Sequence, residues 1–148
     1  MTRGLPILLS SFLWLYCQLV FGQAKTEAEL HAERGLQQLQ ARNLAAAEDE
    51  FRQAVKLSPR DPAYLSDLGI VLGMDERFAD SDRYFQAALE VDPGDLSVRR
   101  NLAKNQWRLG EFKSAEANLQ KILTAQPADA ESILILDVVE ENLEHFER

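Results

Sequence analysis

The sequence predicts an all-α fold, namely an α-solenoid of three helix-turn-helix repeats followed by a C-terminal capping helix. Pro59, Pro93 and Pro127 are spaced at 34 residues, and each follows an amphipathic segment. Apolar residues elsewhere recur at steps of three or four, and no segment shows the alternation typical of a β-strand. A fixed period of this length indicates stacked helical repeats.

Residues 1–24 are predicted to be a signal peptide that exports the protein to the periplasm, the cell envelope or the medium. Arg3 precedes an uncharged, mostly apolar run from Leu5 to Gly22. Gly22 and Ala24 supply the small residues that signal peptidase requires, so we expect cleavage after Ala24. The alternative is an uncleaved membrane anchor, because a bilayer is crossed by roughly 17 to 25 apolar residues.

Further columns of residues recur in the same 34-residue frame. Their small members are predicted to let the two helices of a repeat approach closely, and their large members to fill the space between repeats. The large residues are Phe51, Phe85 and Leu119; the small ones are Gly35, Gly69 and Ala103, with Ala47, Ser81 and Ala115 on the facing helices.

The same frame sets the ends of the helices. Proline has no N–H and disfavours helix in the residue before it, so the three prolines end the second helix of each repeat. Asp61 and Asp95 follow where a side chain caps the next helix. The predicted helices span residues 26–41, 44–57, 62–75, 78–91, 96–109 and 112–125.

These columns resemble the tetratricopeptide repeat family, whose unit is a 34-residue pair of antiparallel helices. In that frame the repeats span residues 28–61, 62–95 and 96–129. The resemblance implies a scaffold that holds another protein, and it implies that the first helices of the repeats line a concave groove for a peptide or helix.

Residues 130–148 are predicted to form one more helix, whose apolar stripe is Ile133, Leu136, Val139, Leu143 and Phe146. As a capping helix it covers the open end of the third repeat, which a soluble stack requires. It is alternatively the start of a shortened fourth repeat. The run Ile133–Leu136 is apolar on all sides, so it is also a candidate surface for docking a partner or a second copy.

Composition and motifs exclude several classes of function. The net charge of −8 opposes binding to nucleic acid, because phosphates require a basic surface. Cys17, the only cysteine, falls inside the predicted signal peptide, and His31 and His145 lie at opposite ends of the repeat frame. No phosphate loop, nucleophile motif or metal motif is present, so we predict no enzymatic activity, no cofactor and no metal.

One helix of the third repeat carries the candidate site. On a helical wheel of 100° per residue, the side opposite Val98 and Leu102 holds three cations and an indole. The resemblance implies that aliphatic residues of the first two repeats line the same groove, and the cations favour a partner with an acidic segment. The predicted groove residues are Leu36, Leu39, Ile70, Met74, Arg100, Lys104, Trp107 and Arg108.

The predicted function is therefore a non-enzymatic protein-interaction scaffold. The alternative is an accessory or N-terminal domain of a larger assembly whose catalytic part lies elsewhere. Because one fold hosts many functions, the identity of the partner and the oligomeric state stay open at this stage.

Overall fold

The computed structural model describes residues 25–146, and every regular element in that range is an α-helix. The predicted signal peptide and Cys17 lie outside the described residues. The six predicted repeat helices agree with the observed ones to within one residue at each end. The helices are α1 (Glu27–Gln40), α2 (Leu44–Leu57), α3 (Pro62–Met74), α4 (Phe78–Val91), α5 (Leu96–Arg108), α6 (Phe112–Ala125) and α7 (Ala130–Phe146).

Side-chain caps start the first helix of each repeat. An Asp61 Oδ1 atom accepts hydrogen bonds from the N–H groups of Ala63 and Tyr64, at 3.0 and 3.3 Å. Asp95 Oδ1 does the same at the start of α5, so both predicted caps are confirmed. These bonds satisfy donors that the first turn of a helix leaves free.

The turn between the two helices of each repeat contains one residue with a positive backbone φ angle, in the left-handed conformation. Arg42, Glu76 and Gly110 occupy equivalent positions, with φ angles of 59°, 61° and 77°. Only the third repeat has glycine there, the residue that adopts this conformation without steric cost. The left-handed residue closes the turn in which the chain reverses between the two helices.

The core runs along the stack in three clusters. Phe51, Phe85 and Leu119 are each at most 2% exposed. Phe51 packs with Leu68 and Leu72 of the following repeat, so these large residues join repeats as predicted. Each repeat thus buries apolar surface against its neighbour as well as between its own two helices, and the contacts between neighbours stabilise the stack.

Helix α7 packs against α6 and covers the third core cluster. Val139 is fully buried, while Ile135, Leu136 and Leu143 are half-buried against that cluster. The helix has no interruption and stands where the first helix of a further repeat would stand. The other side of α7 carries Leu134, which is 66% exposed.

Within residues 25–146, no helix is both long enough and apolar enough to cross a membrane.

Candidate partner-binding groove

The first helices of successive repeats touch one another only slightly, because each packs mainly against the second helices. This arrangement leaves clefts between α3 and α5 and between α5 and α7. The candidate site consists of these two clefts, which we call the central cleft and the end cleft.

The central cleft has a volume of about 440 Å³. Ile70 and Met74 of α3 form one wall, and Lys104 and Arg108 of α5 form the other. Met74 is 51% exposed, so an apolar side chain stands open to solvent opposite two cations. The remaining lining residues are Gly73, Glu76, Phe78, Phe85, Asn101 and Asn105.

The end cleft has a volume of about 410 Å³ and is more apolar. Trp107 of α5 faces Leu134, Ile135 and Val138 of α7 across it. Lys104 and Arg108 line this cleft as well as the central one, so the two form one continuous surface. We call that surface the groove.

Two of the predicted groove cations are engaged within the chain. The Nη2 atom of Arg100 lies 2.9 Å from Oδ2 of Asp129, and its Nε donates to Oγ of Ser132 at 3.2 Å. Lys104 donates to Glu131 on α7. From the sequence we predicted that all three cations are available to an acidic partner. In the structure, Arg100 and Lys104 instead pair with carboxylates at the start of α7.

The pKa values of these carboxylates reflect the pairing. The hydrogen bond from Lys104 is the largest cause that holds the pKa of Glu131 below its usual value. The hydrogen bond from Ser132, and after it the one from Arg100, lowers the pKa of Asp129. Both acids are therefore charged at neutral pH, and the positive potential of this part of α5 is largely neutralised.

Arg108 is held differently. Its Cζ lies 5.4 Å from the centroid of the Phe78 ring and 5.7 Å from that of Trp107. These are cation–π distances, which fix a guanidinium without using its N–H donors. Among residues 25–146, Arg108 has no carboxylate within ion-pair distance.

The two residues predicted from the first repeat lie apart from both clefts. Leu36 of α1 is 43% exposed, and Leu39 is half-buried against the first core cluster. Neither lines the central cleft or the end cleft. Five of the eight predicted residues, namely Ile70, Met74, Lys104, Trp107 and Arg108, come together in the groove.

Several residues that line the two clefts are absent from the predicted groove set. Leu134 belongs to the apolar run Ile133–Leu136, which was predicted as a separate candidate docking surface, whereas Val138 lies beyond that run. Asn101 and Asn105 are polar residues of α5 and carried no recognisable pattern. Asn105 is buried and donates to Oγ of Ser81 at 2.7 Å, and Ser81 donates to the carbonyl of Gly69 at 2.6 Å.

The buried side chains of Asn105 and Ser81 lie near the carboxyl group of Asp82, whose burial is energetically unfavourable when it is charged. Asp82 is 6% exposed, and its Oδ1 atom has no hydrogen-bond partner within the described part of the chain. Burial raises the pKa of Asp82 to about 6, while the hydrogen bond from Asn105 acts in the opposite direction.

In residues 25–146, no three histidine, cysteine or acidic side chains are grouped so that they could hold a metal ion.

Comparison with family models connects the observed architecture to known proteins. A model described as tetratricopeptide repeat matches residues 74–133, and a second model with that description matches residues 32–80. Together the two cover most of the described helices.

Two curated proteins match over much of this chain. Superkiller protein 3 of Schizosaccharomyces pombe is 29% identical over 96 residues, which are 65% of this chain. Cellulose synthase operon protein C of Komagataeibacter xylinus is 36% identical over 93 residues, or 63% of this chain. The chain spans only 7% of the length of each relative.

Solved structures agree with the fold at low sequence identity. The first tetratricopeptide domain of Spaghetti (RPAP3), bound to an HSP90 peptide, has a TM-score of 0.77 and 14% identity, covering 80% of this chain and 94% of that domain. The Sgt2 domain from Aspergillus fumigatus has a TM-score of 0.75 and 18% identity, covering 84% and 83%. MamA from Desulfovibrio magneticus has a TM-score of 0.77 and 20% identity, covering 84% and 71%. At these identities the likeness concerns the fold alone.

Proposed function

Because the chain belongs to the tetratricopeptide repeat family, we propose that it is a non-enzymatic interaction scaffold that holds a peptide segment or helix of another protein in the groove. The solved Spaghetti domain was captured with a peptide, which supports a binding role for the fold. Specificity must come from this chain's own groove residues, since one fold serves many partners.

The observation that carries the proposal is the exposure of apolar side chains on both sides of the groove. Met74 is 51% exposed on one wall of the central cleft, and Leu134 is 66% exposed on one wall of the end cleft. Large apolar side chains gathered at a cleft mark sites where another molecule covers them. Trp107 and Arg108 between them are the residue types that dominate binding energy at interfaces.

The charges of the groove refine the expected partner. Because Arg100 is already paired with Asp129 and Lys104 with Glu131, a strongly acidic segment finds little free positive charge there. We therefore propose a mainly apolar partner segment with few acidic residues. The partner proposed from the sequence was more acidic than this.

The test is affinity capture by the purified protein, comparing a groove variant with a matched control. Met74→Glu places a carboxylate on the open wall of the central cleft. Leu57→Glu is the control, because Leu57 is 46% exposed in the first repeat and lines neither cleft. Met74→Glu should lose a partner that the wild type and Leu57→Glu both retain. Equal capture by all three proteins would refute binding at the groove.

A second candidate function is that of an accessory unit within a larger assembly. The matched segment is a small part of each long curated relative, which supports a modular role. We also propose export through the segment at residues 1–24, with retention as a membrane anchor as the alternative.

A further inference from the structure

Resting on the proposed scaffold function, we propose that the end cleft is the recognition pocket of the groove for a bulky apolar side chain with an adjacent carboxylate from the partner. The pocket is built by α5 and α7, so it lies at the junction between the third repeat and the helix that covers it. It adds a defined chemistry of recognition to the groove.

The apolar part of the pocket is open. Leu134 is the most exposed of the large hydrophobic side chains in residues 25–145, at 66%, and Val138 is 42% exposed. They are four residues apart on α7 and form one ridge facing Trp107. A helix whose only task was to cap the third repeat would carry polar residues on this side. Covering this ridge removes apolar surface from water, which favours binding.

The polar part of the pocket is Arg108. The Phe78 and Trp107 rings lie within cation–π distance of its guanidinium, an interaction that does not use its N–H donors. Its planar N–H donors match the two oxygens of a carboxylate. Since no carboxylate within the described residues occupies them, they are available to an incoming acid.

Charge complementarity decides the occupant. Lys104, the other cation of the pocket, is paired with Glu131 on α7. A partner with several acids would face Glu131 as well as Glu76, which lines the central cleft beside Arg108. One carboxylate next to a bulky apolar side chain satisfies Arg108 and covers Leu134. A second copy of this chain is the less favourable occupant, because each copy carries a net charge of −8.

The experiment begins with an array of random synthetic peptides incubated with the purified protein. Bound peptides should be enriched in leucine or phenylalanine next to glutamate or aspartate. The strongest binder is then synthesised with its acid intact and with that acid replaced by the amide, and both affinities are measured by calorimetry. The wild type should bind the acid form about tenfold more tightly, because the hydrogen bonds of Arg108 to a charged carboxylate are stronger than those to a neutral amide.

Variants of the pocket residues test whether the pocket causes this difference in affinity between the acid and amide peptides. Arg108→Gln should bind the acid and amide forms equally, and Leu134→Ser should weaken both by the same factor. Glu76→Gln should tighten binding of the acid form, since it removes a negative charge that repels the incoming carboxylate. Arg83→Gln and Leu57→Ser, exposed positions away from the groove, are the matched controls and should behave as the wild type.

Failure of the pocket proposal and failure of the scaffold function give different experimental results. Peptides that bind the wild type regardless of acid content, and equally to Arg108→Gln and Leu134→Ser, would overturn the pocket and leave the scaffold function standing. No peptide bound by the wild type would contradict both. A wild-type dimer that becomes a monomer in Leu134→Ser, measured by light scattering, would show that a second copy fills the pocket and would overturn the proposed occupant.

Discussion

Gly69 lies against the ring of Phe85 so closely that a Cβ atom at position 69 would stand 2.7 Å from Cε1 of that ring. Phe85 is 2% exposed and belongs to the second core cluster, so a shift of the ring would disturb its packing in that cluster. Gly35 and Phe51 repeat the relationship at 2.8 Å in the first repeat. The close approach of α3 and α4 therefore depends on a missing methyl group.

Gly69→Ala should destabilise the protein. Overpacking a core costs about 1–3 kcal/mol, whereas alanine in a helix gains at most about 1 kcal/mol over glycine. Gly73→Ala is the control on the same helix, because its Cβ would stand 3.3 Å from the Ser81 hydroxyl, a milder contact. Chemical denaturation should show a loss of about 1–2 kcal/mol for Gly69→Ala and little change for Gly73→Ala. Equal stability of the two variants would contradict the packing described.

Arg100→Ala should loosen α7 from the rest of the stack. Arg100 is 18% exposed and bonds both Asp129 and Ser132 at the start of α7, so its removal strands polar groups in a mostly buried place. Lys104→Ala removes the exposed pair with Glu131 and should change stability by no more than about 1 kcal/mol.

Hydrogen exchange provides the measurement for these two variants. Amides of α7 should exchange faster in Arg100→Ala than in Lys104→Ala, while those of α1 and α2 stay protected in both. Unchanged protection of α7 in Arg100→Ala would mean that apolar packing alone holds the helix.

Asp82 should make stability depend on pH in a known direction. Burial raises its pKa from 3.8 to about 6, so the native state holds the proton more tightly than the unfolded chain does. The resulting stabilisation is present below about pH 4 and is lost as the pH rises to about 6. Asp82→Asn removes this loss, so the variant should gain stability over the wild type between pH 4 and 6.

Melting at several pH values tests the prediction for Asp82. The stability difference between Asp82→Asn and wild type should grow up to about pH 6 and then level off. Burial also raises the pKa of Asp67 to about 6, so Asp67→Asn should show the same trend. A difference for Asp82→Asn that is the same at pH 4 and pH 7 would argue against a buried, costly carboxylate.

The helices were predictable because local chemistry determines them. Pro59, Pro93 and Asp61 act on the residues next to them, and the 34-residue period repeats that information in each unit. The positions of the large core residues followed from the same period. Here local preference and packing agree, as expected for a sequence that specifies one fold.

The charges of the groove were not predictable in the same way. A helical wheel places Arg100 and Lys104 on one face of α5, but it does not say that Asp129 and Glu131 face them from α7. Those pairs join residues 29 and 27 positions apart in the sequence, and α6 lies between them, so only packing determines that they meet. The exposure of Leu134 is likewise a result of how α7 rotates on the third core cluster.

The exported form should begin at or near Lys25. This prediction rests on the apolar run that ends at Gly22 and on Ala24 before the expected cleavage site. N-terminal sequencing of the protein purified from its natural compartment is the measurement. Material that starts at Met1 and sediments with membranes would instead favour the uncleaved anchor.

Site-specific photo-crosslinking in the native cell shows whether a partner protein lies in the groove. A photoreactive residue replaces Met74 in the central cleft, and in a second strain it replaces Arg83, whose side chain is 80% exposed and lines neither cleft. Position 74 should give a discrete protein adduct that mass spectrometry identifies, and position 83 should not. The same adduct at equal yield from both positions, or an adduct from position 83 alone, would contradict the account.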